Sequence, residues 1–572
     1  VQYPNYSESM SANSAKVKYY DVFLEGSKKY SMIMSISPEN KVSCEYYDEY
    51  GRVVKKAVVT NPSDLLRLSN LDNLVQMPSS IKLINTATYE YDDLDRVITE
   101  KDGENRATTY TYNAAGKVLT VSVGNSSDGF AQIQYTYDKA GRVTKVTQGT
   151  HITTYIYDLA GRVTKETDPM GYYTLTYYDN AGNVIEFMDK NGNPIFYSYD
   201  SRNRMTRKTC EGLTETYTYD NTGNILTQTN KNGTVTYQYR YDGMLEKKTM
   251  PDGKSISYTY NSAKQKTAYT DYFGNQTSYT YYNGKVKSIT QNGNTTTNAY
   301  NRDGSISDVY YPNGNDEWYD YDYAGRLKGH GNVYDIDYSH SGESYTYDNA
   351  GNIVQKIAKV GDTTKTITYA YDSCNRLTQE SVNGVASYSY GYDRYGNRIC
   401  GIDTKGDYQY IYDANNRLTK RIFTTNVDNE TEYTYDKNGN LLRSRVVEDF
   451  TDFVVYIDDV YQYDEFGHMI SSEKDDKVTN YTYYADGLRA TKTYSGTTTQ
   501  YYYDGQNVVN ETLNGSQYAT NLMGVTGYIS RKQNGTIGYY DRDGHGDTVN
   551  IYGADGTTKL ASYEYDAFGN QK

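Results

Sequence analysis

One nine-residue phrase, Y-x-Y-D-x-x-G-[RN]-[VIL], recurs along most of this chain. Copies with minor variations are YEYDDLDRV (89–97), YTYNAAGKV (110–118), YTYDKAGRV (135–143), YIYDLAGRV (155–163), TYYDNAGNV (176–184), YSYDSRNRM (197–205), YTYDNTGNI (217–225), YTYDNAGNI (345–353), YAYDSCNRL (369–377), YIYDANNRL (410–418), YTYDKNGNL (433–441) and YQYDEFGHM (461–469). The second tyrosine of five successive copies is Tyr137, Tyr157, Tyr178, Tyr199 and Tyr219, a step of 20 or 21 residues. A chain copied at such a period folds by stacking its units on one another.

The spacing of the two tyrosines predicts strands. Residues two positions apart point to the same face of a strand, whereas on a helix they diverge by about 200°. The flanking residues are rich in Thr, Val, Ile and Tyr, which favour strands. In Tyr217-Thr218-Tyr219-Asp220 the alternate positions are polar, so one face is aromatic and the other polar. Such a sheet does not fit the centre of a helix-covered α/β fold, where both faces are apolar, and we expect it to wind on itself with tyrosines stacking between strands.

The second half of the phrase predicts a turn. Its glycine slot holds Gly141, Gly161, Gly182, Gly223, Gly351, Gly396 and Gly439, and in other copies Asn203, Asn375, Asn416 or Asp95. These are the residue types that tolerate left-handed backbone, so the slot is predicted to have a positive φ. The preceding aspartates Asp138, Asp158, Asp220 and Asp436 are predicted to accept hydrogen bonds from turn N–H groups, as in Asx turns, and not to act as catalytic carboxylates.

A second turn lies half a period later. It is marked by Asp102-Gly103, Asn191-Gly192, Asn232-Gly233, Asp252-Gly253, Asn292-Gly293, Asn313-Gly314 and Asn383-Gly384. Asn-Gly and Asp-Gly between alternating segments are strong hairpin signals. Each repeat therefore consists of two strands and two turns, and the predicted fold class is all-β, with tandem hairpins forming one long spiralling sheet.

Departures from the period suggest three regions. Residues 1–88 are irregular, with one early copy, EYYDEYGRV (45–53), and one predicted amphipathic helix at about 62–77, capped by Asn61. Residues 89–537 carry the tandem repeats, in which VVEDFTDFVVYIDDV (446–460) suggests a longer hairpin. Residues 538–572 differ from the tandem repeats in the spacing and composition of their motifs. The chain begins with Val1, which suggests a fragment or a processed form.

Charge and composition narrow the functional classes. The 58 basic and 72 acidic residues give a net charge of −14, and there is no basic run, which argues against a nucleic-acid groove. No stretch approaches the ~18 apolar residues of a membrane span. The four cysteines, Cys44, Cys210, Cys374 and Cys400, form no CxxC pair, and three disulfide pairings remain open.

The phrase Y-x-Y-D-x-x-G-R-[VIL]-T resembles the YD repeat of the Rhs/YD-repeat superfamily, which includes bacterial Rhs and wall-associated proteins, C components of insecticidal toxin complexes, and teneurins. The resemblance covers about 45–570. It implies a spiral sheet that curls into a partial or complete hollow shell, which in the toxin members holds an effector. The residues taken to represent the structural repeat are Tyr135, Tyr137, Asp138, Gly141, Arg142, Tyr157, Asp158, Gly161, Tyr217, Tyr219, Asp220, Gly223, Tyr433, Tyr435, Asp436 and Gly439.

The C-terminal region resembles the start of an Rhs-associated core. Its matching positions are Tyr540, Asp543, Gly546, Asp555-Gly556 and the phrase YEYDAFGN (563–570), which includes Tyr565, Asp566, Phe568 and Gly569. Family members continue into a self-cleaving element and a variable effector, which would lie beyond Lys572. No residue of this chain is assigned to either.

The sequence predicts no catalytic, cofactor-binding or metal site. Its five histidines (His151, His330, His340, His468 and His545) form no HExxH motif, and there is no GxSxG elbow or phosphate-binding loop. The segment Asp541–Asp547 resembles a calcium loop, but Tyr552 stands where the bidentate glutamate belongs, and a hairpin turn is expected instead.

These observations predict a non-enzymatic, cage-like scaffold of a secreted or cell-surface bacterial polymorphic toxin, used in contact-dependent competition. Its expected partners are its own C-terminal effector as cargo and target-cell or cell-wall glycans. The alternative is a cell-surface adhesion or carbohydrate-binding module, since tyrosine faces can stack on sugar rings. A weaker alternative is the shell of a toxin-complex C component, which would need a partner protein to complete the cage.

Overall fold

A computed structural model describes residues 15–124, 131–333, 340–360, 363–403, 406–424, 429–450, 453–566 and 568–569. Within these residues 49 strands form one antiparallel sheet, in which each strand pairs with the strands before and after it. Within the described residues β1 and β49, the first and last strands, pair on one side only, so the sheet is open. The predicted all-β, spiralling fold is confirmed.

The first strands are β1 Lys16–Glu25, β2 Lys28–Ile36, β3 Val42–Tyr47, β4 Val53–Val59, β5 Leu83–Tyr91, β6 Val97–Asp102, β7 Ala107–Tyr112, β8 Val118–Val123, β9 Ala131–Tyr137, β10 Val143–Gln148, β11 His151–Tyr157, β12 Val163–Thr167, β13 Tyr173–Tyr178, β14 Val184–Met188, β15 Pro194–Tyr199, β16 Met205–Cys210, β17 Leu213–Tyr219, β18 Ile225–Asn230, β19 Gly233–Tyr239, β20 Leu245–Thr249, β21 Ser255–Tyr260 and β22 Lys266–Thr270. They are followed by β23 Gln276–Tyr282, β24 Lys285–Gln291, β25 Asn294–Tyr300, β26 Ile306–Tyr310, β27 Asp316–Tyr321, β28 Leu327–Val333, β29 His340–Tyr347, β30 Ile353–Val360, β31 Thr363–Tyr371, β32 Leu377–Val382, β33 Val385–Tyr392, β34 Arg398–Asp403, β35 Gly406–Tyr412, β36 Leu418–Phe423, β37 Asn429–Tyr435, β38 Leu441–Phe450, β39 Phe453–Tyr463, β40 Met469–Lys474, β41 Lys477–Tyr483 and β42 Arg489–Tyr494. The last are β43 Thr497–Asp504, β44 Asn507–Leu513, β45 Ser516–Met523, β46 Tyr528–Gln533, β47 Thr536–Arg542, β48 Thr548–Tyr552 and β49 Lys559–Ser562.

Both predicted turns are present. The glycine slot has a positive φ at glycine, for example 79° at Gly141 and 87° at Gly161, and also at Asn203 (60°) and Asp95 (62°). The Asn-Gly and Asp-Gly pairs each connect two antiparallel strands, as Asn232-Gly233 connects β18 and β19. The segment 446–460 lies in the long β38–β39 hairpin, as predicted.

Each YD turn is followed by a β-bulge. In β9 and β10, Tyr137 pairs with Val143 but Thr136 pairs with Lys145, so Thr144 is the extra residue. Thr144 Oγ1 donates a hydrogen bond to the Thr136 carbonyl at 3.2 Å, which explains a threonine in this position. Bulges increase the right-handed twist of the bulged pair. Because the same register shift recurs from repeat to repeat, its twist accumulates and coils the sheet.

The sheet winds past itself. Lys41 contacts Asp303, which is 262 residues further along, and Asn313 Nδ2 donates to the carbonyl of Gly553, 240 residues further on. Three successive windings therefore pass the same side of the molecule. We call them the first winding, which contains Lys41, the second winding, which contains Asp303 and Asn313, and the third winding, which contains Gly553. The line of contact between neighbouring windings is called the seam.

A small core closes the N-terminal end. Phe23, Met34, Tyr46, Leu65 and Leu74 are buried in one cluster between β1–β4 and the segment that follows β4. The other two apolar clusters lie along the seam, one around Tyr258 and Tyr502 and one around Ile289 and Leu522.

The single helix predicted over 62–77 is wrong in extent. Over this range the structure has one short helix, α1 Pro62–Leu66, and a separate 3-10 turn, Leu71–Asn73. Ser69, Asn70, Asp72 and Asn73 bond readily to local backbone and favour turns over helix, which interrupts the apolar pattern. The Asn61 side chain makes no cap hydrogen bond to the helix. Instead it donates to Asp64 and to the Ser80 carbonyl and accepts from Lys82 N, and so connects the two ends of the segment between β4 and β5. Among the described residues, no helix combines the length and apolar character needed to cross a bilayer.

Candidate functional site: the repeat joints and the seam

The YD turn is closed by its aspartate. Asp138 Oδ1 accepts hydrogen bonds from the backbone N–H groups of Ala140 (2.9 Å) and Arg142 (3.0 Å), as predicted for an Asx turn. Its Oδ2 accepts from Arg142 Nε at 2.7 Å. Hydrogen bonds from the Arg142 backbone and side chain hold the pKa of the Asp138 carboxyl below its usual value. The aspartate is therefore occupied in holding the turn.

The arginine that follows the glycine joins one repeat to the next. Arg142 Nη1 donates to the Asp158 carbonyl at 3.1 Å, and its guanidinium lies over the Tyr157 ring, 4.7 Å from the ring centroid. The same Asp–Arg–Tyr arrangement occurs at Asp92–Arg96–Tyr112, Asp158–Arg162–Tyr178, Asp200–Arg204–Tyr219, Asp322–Arg326–Tyr347, Asp372–Arg376–Tyr392 and Asp413–Arg417–Tyr435. Where asparagine replaces arginine, its amide takes over the contact with the aspartate, as Asn224 does with Asp220 (2.7 Å).

The second tyrosine joins the same repeats in the opposite direction. Tyr137 Oη donates to the carbonyl of Val118, which opens the returning strand of the preceding repeat, at 2.7 Å. Equivalent bonds run from Tyr157 to Val143, Tyr178 to Val163, Tyr199 to Val184, Tyr219 to Met205, Tyr260 to Leu245, Tyr371 to Ile353, Tyr392 to Leu377, Tyr435 to Leu418 and Tyr483 to Met469. This bond explains why the position is tyrosine and not phenylalanine.

Tyrosine stacking is less general than the sequence predicts. Ring pairs do occur, as between Tyr269 and Tyr279, whose centroids are 6.3 Å apart. In the arginine-bearing repeats, however, the guanidinium covers a ring face instead. The cause is the position of the arginine, which reaches the following repeat directly above the ring. Sequence reasoning placed Arg142 in the repeat but missed this role, although the interval of 15 or 16 residues that separates Arg142 from Tyr157, Arg162 from Tyr178 and Arg204 from Tyr219 was a usable signal.

The seam is built from the two kinds of turn. The turns that lie half a period after the YD turns contact the YD turns of the next winding. A side-chain oxygen of the former accepts a hydrogen bond from a backbone N–H of the latter, at the residue directly after the turn's first residue. Glu39 accepts from Arg302 N (2.7 Å), Glu104 from Asn349 N (2.8 Å) and Asn191 from Lys437 N (3.0 Å). These partners are separated by 263, 245 and 246 residues. The predicted repeat residue Tyr217 also contributes, since its hydroxyl donates to the Ala485 carbonyl at 3.1 Å.

Aromatic packing reinforces one stretch of the seam. Tyr272 and Tyr502 are buried with ring centroids 5.1 Å apart, and Tyr272 Oη donates to the Tyr503 carbonyl at 2.8 Å. Tyr502 Oη donates to Asp252 Oδ2 at 2.6 Å. The tyrosines of the first and second windings therefore hold the windings together as well as the strands.

Part of the C-terminal region departs from the interval of the seam. Gly544 N donates to Glu343 Oε2 at 3.1 Å across 201 residues, and Lys365 pairs with Glu564 across 199 residues. Asp543 closes a turn with Asp547, and Gly546 has a φ of 90°, which confirms the predicted hairpin turn. Within the described residues no group of three or more His, Cys, Asp and Glu side chains is placed to hold a metal.

The last described residues fold back over the second winding. Tyr565 Oη donates to the Thr548 carbonyl (3.0 Å), and Gly569 N donates to the Asp566 carbonyl (3.1 Å). The Phe568 ring lies edge-on to Tyr390, with centroids 4.9 Å apart. Ala567 and Asn570 of the predicted phrase lie outside the described residues.

The four cysteines, Cys44, Cys210, Cys374 and Cys400, are all free thiols.

The architecture defines a class: an open, spiralling sheet of YD hairpins whose windings interlock. The sequence profile of the teneurin YD-shell family matches residues 52–178 and 174–340, together half of the chain. The chain therefore belongs to the YD-shell family, within the Rhs/YD-repeat superfamily, as its repeat phrase predicted.

Relatives and solved structures agree with this assignment. The tRNA3(Ser)-specific nuclease WapA of Bacillus spizizenii and the tRNA nuclease WapA of Bacillus subtilis are each 29% identical over 230 residues, which is 40% of this chain and 7% of theirs. The crystal structure of TcdB2-TccC3-TEV matches 95% of this chain and 35% of its own, with a TM-score of 0.58 and 14% identity. The Tc holotoxin pore of Photorhabdus luminescens matches 98% and 35%, with a TM-score of 0.51 and 12% identity. The structural matches show a shared fold.

Proposed function

We propose that this chain is the encapsulating, non-enzymatic wall of a secreted or surface-bound bacterial Rhs/YD-repeat toxin, and that it encloses a C-terminal effector of the same polypeptide. The observation that carries this proposal is the seam. A sheet that only coiled would leave gaps between windings, whereas interlocking turns such as Glu104 with Asn349 produce a continuous wall. A continuous wall can separate a cargo from the solution outside.

The relatives support the same proposal. The WapA proteins are named as nucleases, and this chain matches only 7% of their length. We infer that in such a protein the YD region is wall and that the activity belongs to another segment. The same division of labour in the present protein would place its activity outside residues 1–572.

The carbohydrate-binding alternative receives less support. Stacking on a sugar needs a free aromatic face. In the repeats, the ring faces of Tyr157, Tyr178 and Tyr219 carry guanidinium groups, and the three hydroxyls are bonded to backbone carbonyls. The repeated tyrosines are thus committed to the wall itself.

The test is protease protection of the segment that follows this chain in its native reading frame. The protein is produced with that segment, and an antibody follows its digestion. We expect the segment to survive in the wild type, and to be digested when the seam is opened by Tyr272→Ala together with Tyr502→Ala. Tyr241→Ala, at a tyrosine that is 98% exposed, is the matched control and should protect like the wild type.

Two results contradict the proposal. One is a native reading frame without a further folded segment. The other is a downstream segment that is digested at the same rate in the wild type and in the seam variant, while the sheet itself stays intact. If the purified protein binds no glycan on an array, the adhesion alternative is excluded as well.

A further inference from the structure

Buried polar atoms without hydrogen-bond partners gather where the third winding meets the second. Glu317 on β27 is 0% exposed and His330 on β28 is 1% exposed. Glu317 Oε1 and His330 Nε2 have no hydrogen-bond partner among the described residues. Leaving a buried polar group unpaired costs free energy, so such groups in one place call for a physical explanation.

Charged groups of the third winding lie next to Glu317 and to Asn332, a neighbour of His330 on β28. Arg542 Nη1 on β47 lies 3.7 Å from Glu317 Oε1, and Asp541 accepts a hydrogen bond from Asn332 Nδ2 of β28. In the turn after β47, Gly544 N donates to Glu343 Oε2 of β29 at 3.1 Å. This contact is polar around Asp541 and Arg542, whereas Tyr539 of β47 packs in the apolar cluster around Ile289, with its ring centroid 6.5 Å from that of Tyr311.

An ion-pair network forms the outer part of the interface. Lys356 Nζ of β30 lies 2.5 Å from Glu343 Oε1 and 3.7 Å from Asp543 Oδ2, and His545 Nδ1 lies 3.9 Å from Asp543 Oδ2. The Tyr345 hydroxyl also donates to Glu343. A cavity of about 820 Å³ separates the two windings here, and His330, Glu343, Lys356, Asp543 and His545 line it.

His330 is the group whose protonation conflicts with this packing. Its ring lies 4.8 Å from the Tyr319 ring, centroid to centroid. The charged groups that act on it are Glu343, Asp543, Lys356 and Arg542. Burial lowers the pKa of His330 to about 4, since the attraction of the two carboxylates does not repay the lost hydration.

We propose that the contact of β47 and the turn 543–547 with β27–β30 is an acid-labile junction, at which proton uptake by His330 releases the third winding from the second. This junction is a property of the chain itself and does not depend on whether the shell holds cargo. An imidazolium trapped under the third winding would lack a hydrogen-bond acceptor, and undocking would give it water.

The direction follows from proton linkage. When the third winding is docked, His330 titrates at about 4, and when undocked and exposed it titrates near the ordinary value of about 6.5. Between these values the undocked form binds more protons, so docking weakens as the pH falls. At pH 5 the ratio of undocked to docked forms rises about 30-fold relative to about pH 7.5 from this residue alone.

The other groups act in both directions. Burial raises the pKa of Asp543, but the interactions with His545 and Lys356 outweigh it and the pKa lies below its usual value, so protonation of Asp543 also favours release. Burial raises the pKa of Glu317, and the nearby Asp543 carboxylate raises the pKa of His545, so protonation of these two favours docking. A His330 variant is therefore needed to isolate the proposed effect.

Hydrogen exchange of the complete chain, read by mass spectrometry on peptides within 536–552 and corrected for intrinsic rates, tests the junction at about pH 7.5 and about pH 5. His330 should contribute about a 30-fold rise in opening at the lower pH. His330→Gln and His330→Phe cannot take up the proton and should lose this contribution, and Phe also keeps the ring contact with Tyr319. His151→Gln, in another part of the seam, should respond like the wild type.

Equal acid responses in the wild type and in a His330 variant that remains docked at neutral pH would overturn the proposal. An unchanged exchange of 536–552 between the two pH values in the wild type would overturn it as well. If one His330 variant is already undocked at neutral pH, the comparison of the other variant with the wild type still tests the proposal.

Discussion

The guanidinium of Arg142 lies over the ring of Tyr157, 4.7 Å from its centroid, and donates to the carbonyl of the adjacent Asp158. Since Arg142 also closes its own turn through Asp138, one side chain stabilises two consecutive repeats at once. The Tyr157 hydroxyl returns the contact by bonding to the Val143 carbonyl at 2.6 Å. Neighbouring hairpins are thus joined by a reciprocal pair of side chains in addition to the backbone ladder.

Arg142→Ala should loosen the following repeat as well as its own. We expect hydrogen exchange to become faster both in the turn 138–142 and in β11, because Tyr157 and the Asp158 carbonyl lose their partner. Arg142→Lys should restore the charge but not the planar contact, and so recover the exchange rate only in part. Lys139→Ala, at an exposed turn position, is the control. Faster exchange confined to the turn 138–142 would contradict the joint between repeats.

Tyr157→Phe should cost about 1 kcal/mol of local stability, because the Val143 carbonyl loses its donor while the ring remains. The measurement is the free energy of local opening of β10–β12 by hydrogen exchange. Tyr177→Phe is the matched control, since Tyr177 is 48% exposed. Equal effects of the two substitutions would mean that the Tyr157 hydroxyl does not stabilise the repeat.

Gly161→Val should destabilise its turn by about 1–3 kcal/mol, and Gly182→Val should do the same. The two glycines have φ values of 87° and 94°. A Cβ on Gly161 would come no closer than 3.8 Å to Arg142, so the cost arises from backbone conformation and not from a clash. Gly161→Asn should be tolerated much better, as Asn203 occupies the same slot with a φ of 60°. Thermal unfolding of the three variants checks the order.

Acid should destabilise the turns over a defined range. Hydrogen bonds from Arg204 lower the pKa of the Asp200 carboxyl to about 2, below its ordinary value of 3.8. The folded state therefore releases this proton more readily, and the contribution of Asp200 is complete above about pH 3.8 and lost as the pH falls towards 2. Asp200→Asn should flatten the pH dependence of local opening at this turn between those values. A dependence that is unchanged in the variant would show that Asp200 does not set it.

Sequence reasoning reached the strands, both turns and the left-handed slot because each depends on residues within one repeat. The seam depends on residues about 245 positions apart, such as Glu104 and Asn349, and no local pattern relates them. The helix over 62–77 failed for a related reason. Leu65, Leu68, Leu71 and Leu74 suggest one helical face, but the helix ends at Leu66. The turns around Asn70 and Asp72 bring Leu74 into the same core as Leu65, with Leu68 and Leu71 packed against it.

The last prediction concerns Asn191 and Asn438, which contact each other's turns across the seam. Asn191 Oδ1 accepts from Lys437 N at 3.0 Å, and Asn438 Oδ1 accepts from Lys190 N at 2.9 Å, so two turns from successive windings exchange the same bond. The amides continue the exchange, since Asn191 Nδ2 donates to Asp436 and Asn438 Nδ2 to Asp189. Removing either asparagine loosens the same contact. Asn191→Ala and Asn438→Ala should therefore be non-additive, with a coupling of about 0.5–3 kcal/mol in the opening free energy of these turns. The control is a second double-mutant cycle, in which Asn221→Ala takes the place of Asn438→Ala. Its change in opening free energy should simply add to that of Asn191→Ala. Additivity in the first cycle would mean that the windings touch at this point without stabilising each other.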